Sequence, residues 1–273
     1  MRVSALFLHP VKSLRAVAVQ EAEVDDLGLV GDRRFLVTDP AGNFLTQRSH
    51  PRMARIDALL DAGVLTLRSE GFGQTRVGCA PDPAAAERTV RVWKSEGLRA
   101  EDCGEEPAAW LEDVLEVACR LVRIGPAFHR PVRPDRARPG DRVSFADAYP
   151  FLVTSEASLE DLNRRLRAAG AAAVPMTRFR PNLVLEGCDP YAEDTWHHIR
   201  IGSLVFRAGG PCARCVITTT DPLTGERFAE PLRTLASYRR DPLEPTQVNF
   251  GQNLVHETKS GRIRVGDPAV AVD

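Results

Sequence analysis

In the first half of the chain, apolar residues come in short runs or alternate with polar ones, the two-residue step of a β-strand. On this basis Val3–Leu8, Ala16–Val24, Arg34–Thr38, Phe44–Gln47 and Val64–Arg68 read as strands. The stretch Asp39-Pro40-Ala41-Gly42-Asn43 supplies the turn residues of a hairpin connection. The step becomes helical at Pro107–Glu116, where Trp110, Leu111, Val114 and Leu115 share a face, and a strand follows at Cys119–Ile124. A stronger helix starts after Thr154-Ser155. Leu159, Leu162 and Leu166 form its apolar stripe, Ser155 or Ser158 can cap its free amides, and Gly170 can end it. Strand patterns return at Asn182–Glu186, His198–Ala208 and Val216–Thr220, and Ile263 to Val272 closes the chain as a strand pair. Many strands, few helices and no βα rhythm predict an α+β, mostly β architecture, barrel-like rather than doubly wound.

One segment breaks the pattern. Residues 126–142 hold four prolines and five arginines with few apolar residues. They read as a solvated linker, or as a basic lip (Arg130–Arg142) beside an anionic ligand or an acidic partner.

Composition narrows the function classes. The 273 residues are 43% hydrophobic and 27% charged with a net charge of −1, which argues against a protein that grips nucleic acid through many phosphate contacts. No apolar run approaches the roughly 20 residues of a membrane span, so no membrane role is expected. The short apolar N-terminus reads as a strand rather than an export signal. Six cysteines in a chain this large then suit a reduced, cytoplasmic protein.

Candidate chemistry centres on Cys212-Ala213-Arg214-Cys215. A thiolate forms more readily beside a cation, and it binds soft metals or attacks electrophiles. Zinc would need two further ligands, and His197, His198 and Cys188 are not spaced as any common zinc module. A thioredoxin-like pair would open a helix, whereas Val216–Thr220 favours a strand. Two buried thiols near a strand start remain the plain structural alternative. In Thr177–Leu185, an extended backbone would put Arg178, Arg180 and Asn182 on one face, suited to a phosphate or a polar heterocycle, with Phe179, Leu183 and Leu185 turned to the core. Lys12-Ser13 and Gly31-Asp32-Arg33 can offer cations and a hydroxyl to an anion. Asn249-Phe250-Gly251-Gln252-Asn253 combines amides with a glycine that permits close approach, and serves a pterin edge or a turn.

In this order the motifs resemble the MOSC superfamily, named for the C-terminal domain of molybdenum-cofactor sulfurase. The nearer relatives are the mitochondrial amidoxime-reducing components and bacterial hydroxylaminopurine-detoxifying reductases. The resemblance rests on His9-Pro10-Val11-Lys12-Ser13, Gly31-Asp32-Arg33, Thr154–Leu159, Arg178–Asn182, Gly187–Asp194, Cys212–Cys215, Asp221–Gly225 and Phe250-Gly251-Gln252. It implies an N-terminal β-rich MOSC-N domain (1–125), the linker (126–142), and a C-terminal MOSC β-barrel domain (143–273) packed against it.

The resemblance also implies roles. Cys215 would be the molybdenum ligand and catalytic centre, with Arg214 keeping its sulfur ionised and touching the pterin. Lys12, Ser13 and Arg33 would hold the cofactor phosphate. Thr154, Ser155, Arg180 and Asn182 would line the pterin, and Gln252 and Asn253 would close the site. Cys188 would be a buried structural thiol. The implied reaction is detoxifying reduction of the N–O bond of small N-hydroxylated substrates, consuming two electrons and two protons and releasing water. No C-x₄-C-x₂-C cluster spacing is present. Electrons would therefore come from a separate ferredoxin-, flavodoxin- or flavin-reductase-like protein, docking near the basic lip. The alternatives are a non-catalytic molybdenum-cofactor or sulfur carrier, and a β-rich scaffold without chemistry.

Overall fold

The computed structural model describes residues 1–133 and 137–272. Its largest element is an eight-stranded sheet. In spatial order the strands are Ala269–Val272, His198–Ile201, Leu204–Ala213, Asn249–His256, Phe151–Ser155, Leu183–Glu186, Arg2–Leu8 and Val17–Val19. Neighbours run antiparallel except Phe151–Ser155 against Leu183–Glu186, which run parallel. A parallel pair needs a crossover, and the Glu156–Ala168 helix supplies it. Ser155 caps that helix by accepting from the Ser158 amide at 3.1 Å. Leu162 and Leu166 bury against Val184, Phe179 and Phe250, tying the helix to the sheet. On the sheet's other side Leu6, Phe151, Val153, Leu183, Phe206 and Leu254 form the main core.

Three smaller sheets complete the molecule. One joins Phe35–Thr38, Arg120–Arg123, Ser95–Asp102 and Glu87–Val92; another joins Asp57–Asp61, Val64–Arg68 and Gln74–Gly78. The third pairs Glu21–Asp25 with Gly261–Arg264 and Gly28–Leu29. The mostly β, barrel-like architecture is therefore as expected. The sheets do not divide where composition divides the chain, however. Arg2–Leu8 and Glu21–Asp25 pair with strands from the second half, so the loops that follow them are carried to the C-terminal sheet.

Several local expectations change. Phe44–Gln47 forms no continuous strand; it keeps a bridge from Phe44 to Thr38 and the Leu45 amide bond to Val37. Ala16–Val24 splits at Gln20 between two sheets, and His198–Ala208 folds back at Gly202 into an antiparallel pair. Val216–Thr219 is a 3₁₀ helix, not a strand. There the Thr218 and Thr219 hydroxyls donate to the Cys215 and Val216 carbonyls at 3.0 and 2.7 Å, offering the backbone a local alternative to a ladder. Met176–Phe179 is likewise 3₁₀ and Arg180 is left-handed, so Arg178 does not share a strand face with Arg180 and Asn182. The described part of the 126–142 segment is exposed at Pro126, Ala127, His129, Pro131, Arg133 and residues 138–140, as a connector would be, but it is anchored in the interior at intervals. Phe128 and Val132 are core, and Arg130, 3% exposed, donates to the Ser144, Ala146 and Asp147 carbonyls. Arg130 thus cannot belong to a basic lip. Of that lip, Pro134, Asp135 and Arg136 lie outside the described residues, as does Asp273 of the expected C-terminal domain.

Gly251 has φ +81°, and a Cβ there would stand 2.7 Å from the Val153 carbonyl oxygen and 2.8 Å from Thr154 Cγ2. Both the backbone and the space exclude a side chain. Gly251→Ala is expected to cost about 2–4 kcal/mol of stability. An unchanged chemical-denaturation midpoint would contradict this packing.

Candidate functional site

The first loop of the site leaves the Arg2–Leu8 strand and is held from both sides. His9, fully buried, sends its amide to Asp32 Oδ1 at 2.8 Å, and its Nε2 lies 3.1 Å from the Pro181 carbonyl oxygen. The Lys12 amide donates to Phe35 at 3.0 Å. Arg33 reaches across to Asn182 Oδ1 at 3.1 Å and to the Arg180 carbonyl at 3.2 Å, while Arg180 Nη1 donates to the Leu14 carbonyl at 2.7 Å. Three segments distant in sequence are thus laced together by guanidinium forks. Ser13, Arg33 and Arg180 all have positive φ, at 68°, 49° and 56°. Strained non-glycine backbone at one place is a feature of ligand sites.

These residues face a cavity of about 120 Å³. Lys12, Ser13, Arg33, Arg180 and Asn182 form one part of its wall, and Cys212, Arg214, Cys215 and Asn253 form another. Arg48, Asp147 and Tyr149 line it as well, and were not anticipated from the sequence. Asp147 pairs with Lys12, lies 3.4 Å from Arg48 and accepts from Trp93 Nε1 at 3.1 Å; the Arg48 guanidinium sits 4.4 Å from the Trp93 ring. The only signal for this loop was the break Ala146-Asp147-Ala148-Tyr149-Pro150 ahead of an apolar strand.

The electrostatics follow from crowding cations out of water. Burial pulls the Lys12 ammonium down to about 8 even though Asp147 stabilises its charge. Burial and the neighbouring Arg33 bring Arg180 down to about 9. Desolvation pushes the Asp147 carboxyl up, but Lys12 and Arg48 win and hold it well below the usual carboxylate range. Arg180 Nη2 and Arg214 Nε are buried without a hydrogen-bond partner among the described residues. A desolvated cluster with unspent N–H donors fits an anion.

Not every expected residue is here. Thr154 is fully buried with its hydroxyl on Met176 Sδ at 3.2 Å, and fully buried Ser155 is spent on the helix cap and on Glu193. Neither lines the cavity; they end a strand that is buried on both faces. Gln252, 2% exposed, is also absent from the wall. Arg214 Nη1 donates to Cys212 Sγ at 2.8 Å, since residues 212 and 214 fall on one side of an extended strand end; the cation serves Cys212 in place of Cys215. Cys188 is half-buried, with desolvation pushing its thiol up. Among the described residues no group of three or more His, Cys, Asp or Glu is arranged for a metal. A metal at Cys215 would therefore bring its other ligands with it.

Residues 1–118 match the MOSC N-terminal beta barrel domain and residues 140–270 match the MOSC domain. The chain belongs to the MOSC family. Among its curated relatives, human mitochondrial amidoxime-reducing component 1 is 41% identical over 283 residues, spanning 97% of this chain and 81% of that one. The mouse protein of the same name is 40% identical over 280 residues with the same coverage. Human mitochondrial amidoxime reducing component 2 is 34% identical, spanning 97% of this MOSC protein and 82% of its own length.

Proposed function

We propose that this MOSC protein is a molybdenum-cofactor-dependent reductase of N-hydroxylated compounds, amidoximes and hydroxylamines, supplied with electrons by a separate protein. The observation that carries the reading is a thiol, Cys215, not engaged by Arg214 as Cys212 is, in the wall of a cavity that also presents a desolvated cation cluster. A phosphorylated pterin needs that pair of features, a soft donor for its metal and cations for its phosphate. The orphaned Arg180 and Arg214 donors and the left-handed Ser13, Arg33 and Arg180 support the fit. Cys215 would ligate the metal, Lys12, Ser13 and Arg33 would take the phosphate, and Arg180, Asn182 and Asn253 would meet the pterin. When bound, the cofactor supplies two-electron redox chemistry and an acceptor for the substrate oxygen. The chain's own residues hold it, exclude water from its charged end and keep the thiol side open.

Support for the substrate class comes from relatives whose names record amidoxime reduction. Electron delivery by a ferredoxin-, flavodoxin- or flavin-reductase-like partner belongs to the proposal, as does a reducing cytoplasmic setting in which the six cysteines stay free. With Arg130 buried, docking falls to the outer arginines such as Arg138, whose side chain is 59% exposed. Among the described residues no helix is long and apolar enough to cross a membrane.

Protein made in a host that synthesises the cofactor should carry roughly one molybdenum per chain and reduce a simple amidoxime with an artificial donor. Molybdenum without reduction would favour the carrier alternative, and folded protein that takes up no molybdenum would favour the scaffold. The Lys12 ammonium predicts a pH dependence as well. It is charged below about 8 and neutral above, so affinity for a phosphate-bearing ligand should fall as pH rises through 8 in wild type. In Lys12→Gln that fall should vanish, as followed by equilibrium dialysis. The same shift acts oppositely on the apo-protein's stability, because the unfolded lysine binds a proton that the folded one has lost; this contribution grows as pH rises from about 8 toward the ordinary lysine range.

A further inference from the structure

A second cavity, of about 190 Å³, adjoins the first, and Arg180 and Ile217 line both. Its polar side is built from arginines whose donors are mostly committed. Arg15 pairs with Asp57 and donates to the Pro222 carbonyl at 2.7 Å. Arg178, 9% exposed, donates to the Thr219 carbonyl at 3.1 Å and Asp221 at 3.0 Å. Two polar atoms on residues of the wall are buried without partners among the described residues, Arg178 Nε and Thr220 Oγ1; a third, Arg180 Nη2, belongs to the residue shared with the first cavity. An N–H group and a hydroxyl left unpaired call for an acceptor. Three guanidiniums against the carboxylates of Asp57 and Asp221 leave a positive surplus, which selects an anionic acceptor over a cationic group. The rest of the wall is apolar, with Ala16, Ala54, Ile217 and Pro222, and Leu223, 74% exposed, sits at the rim. Apolar walls with a few convergent donors describe a small-molecule site, and the volume exceeds what a few waters need.

We infer that this second cavity is the substrate subsite. It takes an apolar, ring-sized body ending in a carboxylate, while the N-hydroxyl end of the same molecule lies in the neighbouring cavity beside Cys215. This rests on the reductase reading above. Arg178 and Thr220 are thereby specificity determinants rather than catalytic residues. A substrate that bears a carboxylate gains contacts that a small aliphatic amidoxime cannot reach.

Two measurements test it on the whole, cofactor-loaded protein. Calorimetric titration with benzoate should show binding to the wild type. That binding should weaken about tenfold in Thr220→Val, which deletes the hydroxyl, and in Ala16→Phe, which fills the half-buried wall. In the same two variants the KM of a para-carboxylated aryl amidoxime should rise about tenfold with kcat unchanged, whereas the KM of an acetamide oxime should stay put. A circular-dichroism melt of each variant controls for folding. Absence of benzoate binding to the wild type, wild-type affinity retained in both variants, or equal KM changes for both substrates would overturn the subsite. If neither amidoxime is reduced, the reductase reading fails and the substrate role with it. Benzoate binding that is sensitive to Thr220→Val would then leave the cavity as a carboxylate site unconnected with turnover.

Discussion

Cys215→Ala should abolish amidoxime reduction, lowering turnover by about a thousandfold or more, in a protein that still folds. The fold survives because Cys215 supports its surroundings through its backbone. Its carbonyl accepts from the Thr218 amide at 3.1 Å and the Thr218 hydroxyl at 3.0 Å, and alanine keeps both bonds. Loss of one half-exposed sulfur should therefore change stability by no more than about 1 kcal/mol. What disappears is the soft donor facing the cavity, and with it the proposed metal ligand. The informative control is Cys212→Ala. Both thiols line the cavity, but the Cys212 sulfur already accepts from Arg214, so its loss should leave most of the activity. If Cys212→Ala were inactive and Cys215→Ala active, the two assignments would exchange. Full turnover in both would sink the thiolate-ligand reading.

The second large effect is expected at Arg180. Arg180→Ala should drop molybdenum content below about a tenth of the wild-type level, as an affinity loss of about 2–3 kcal/mol would do. Arg180 contributes in two ways. It adds a cation to the cavity, and through its bond to the Leu14 carbonyl it pins the loop that presents Lys12 and Ser13. Removing it loosens that loop and leaves Arg33 to face the ligand without its neighbour. Arg180→Lys should not restore loading, because the three donors of an ammonium sit on one nitrogen and cannot reproduce the planar fork that sends Nη1 to the Leu14 carbonyl and holds Nη2 apart from it. Metal analysis of purified protein, with thermal unfolding as a folding control, decides the matter. Wild-type loading in Arg180→Ala would remove Arg180 from the cofactor site.

How much of this site could be read in advance depends on what held each residue in place. Lys12, Ser13, Arg33, Asn182 and Cys215 sit in loops or at strand ends whose local composition already marked them, and the cavity gathers all five. Thr154 and Ser155 failed as wall residues because a strand buried on both faces offers its hydroxyls only to the interior, to Met176 and Glu193. Asp147 and Arg48 escaped notice because a lone carboxylate and a lone arginine say nothing until Lys12 and Trp93 are beside them. Arg130 misled in the opposite sense, since an arginine is buried when three backbone carbonyls converge on its guanidinium, and composition cannot report that convergence. Val216–Thr219 followed its threonine hydroxyls rather than its β-propensity, a competition settled by local hydrogen bonding.

By itself the sequence determined the β-rich architecture, the helix after Ser155 with its serine cap, and the thiol and cations on which the proposed function rests. These depend on periodicity and residue chemistry, which act over a few neighbours. Only the tertiary structure decided which of those groups meet. It pairs the first strand with Leu183–Glu186 and swings the Lys12 loop against Arg180 and Asn182, and it gives Arg214 a hydrogen bond to Cys212. It also opens a second cavity behind Arg180. Such meetings join residues far apart in the chain, and they are set by how sheets close on a common core, which no local pattern encodes.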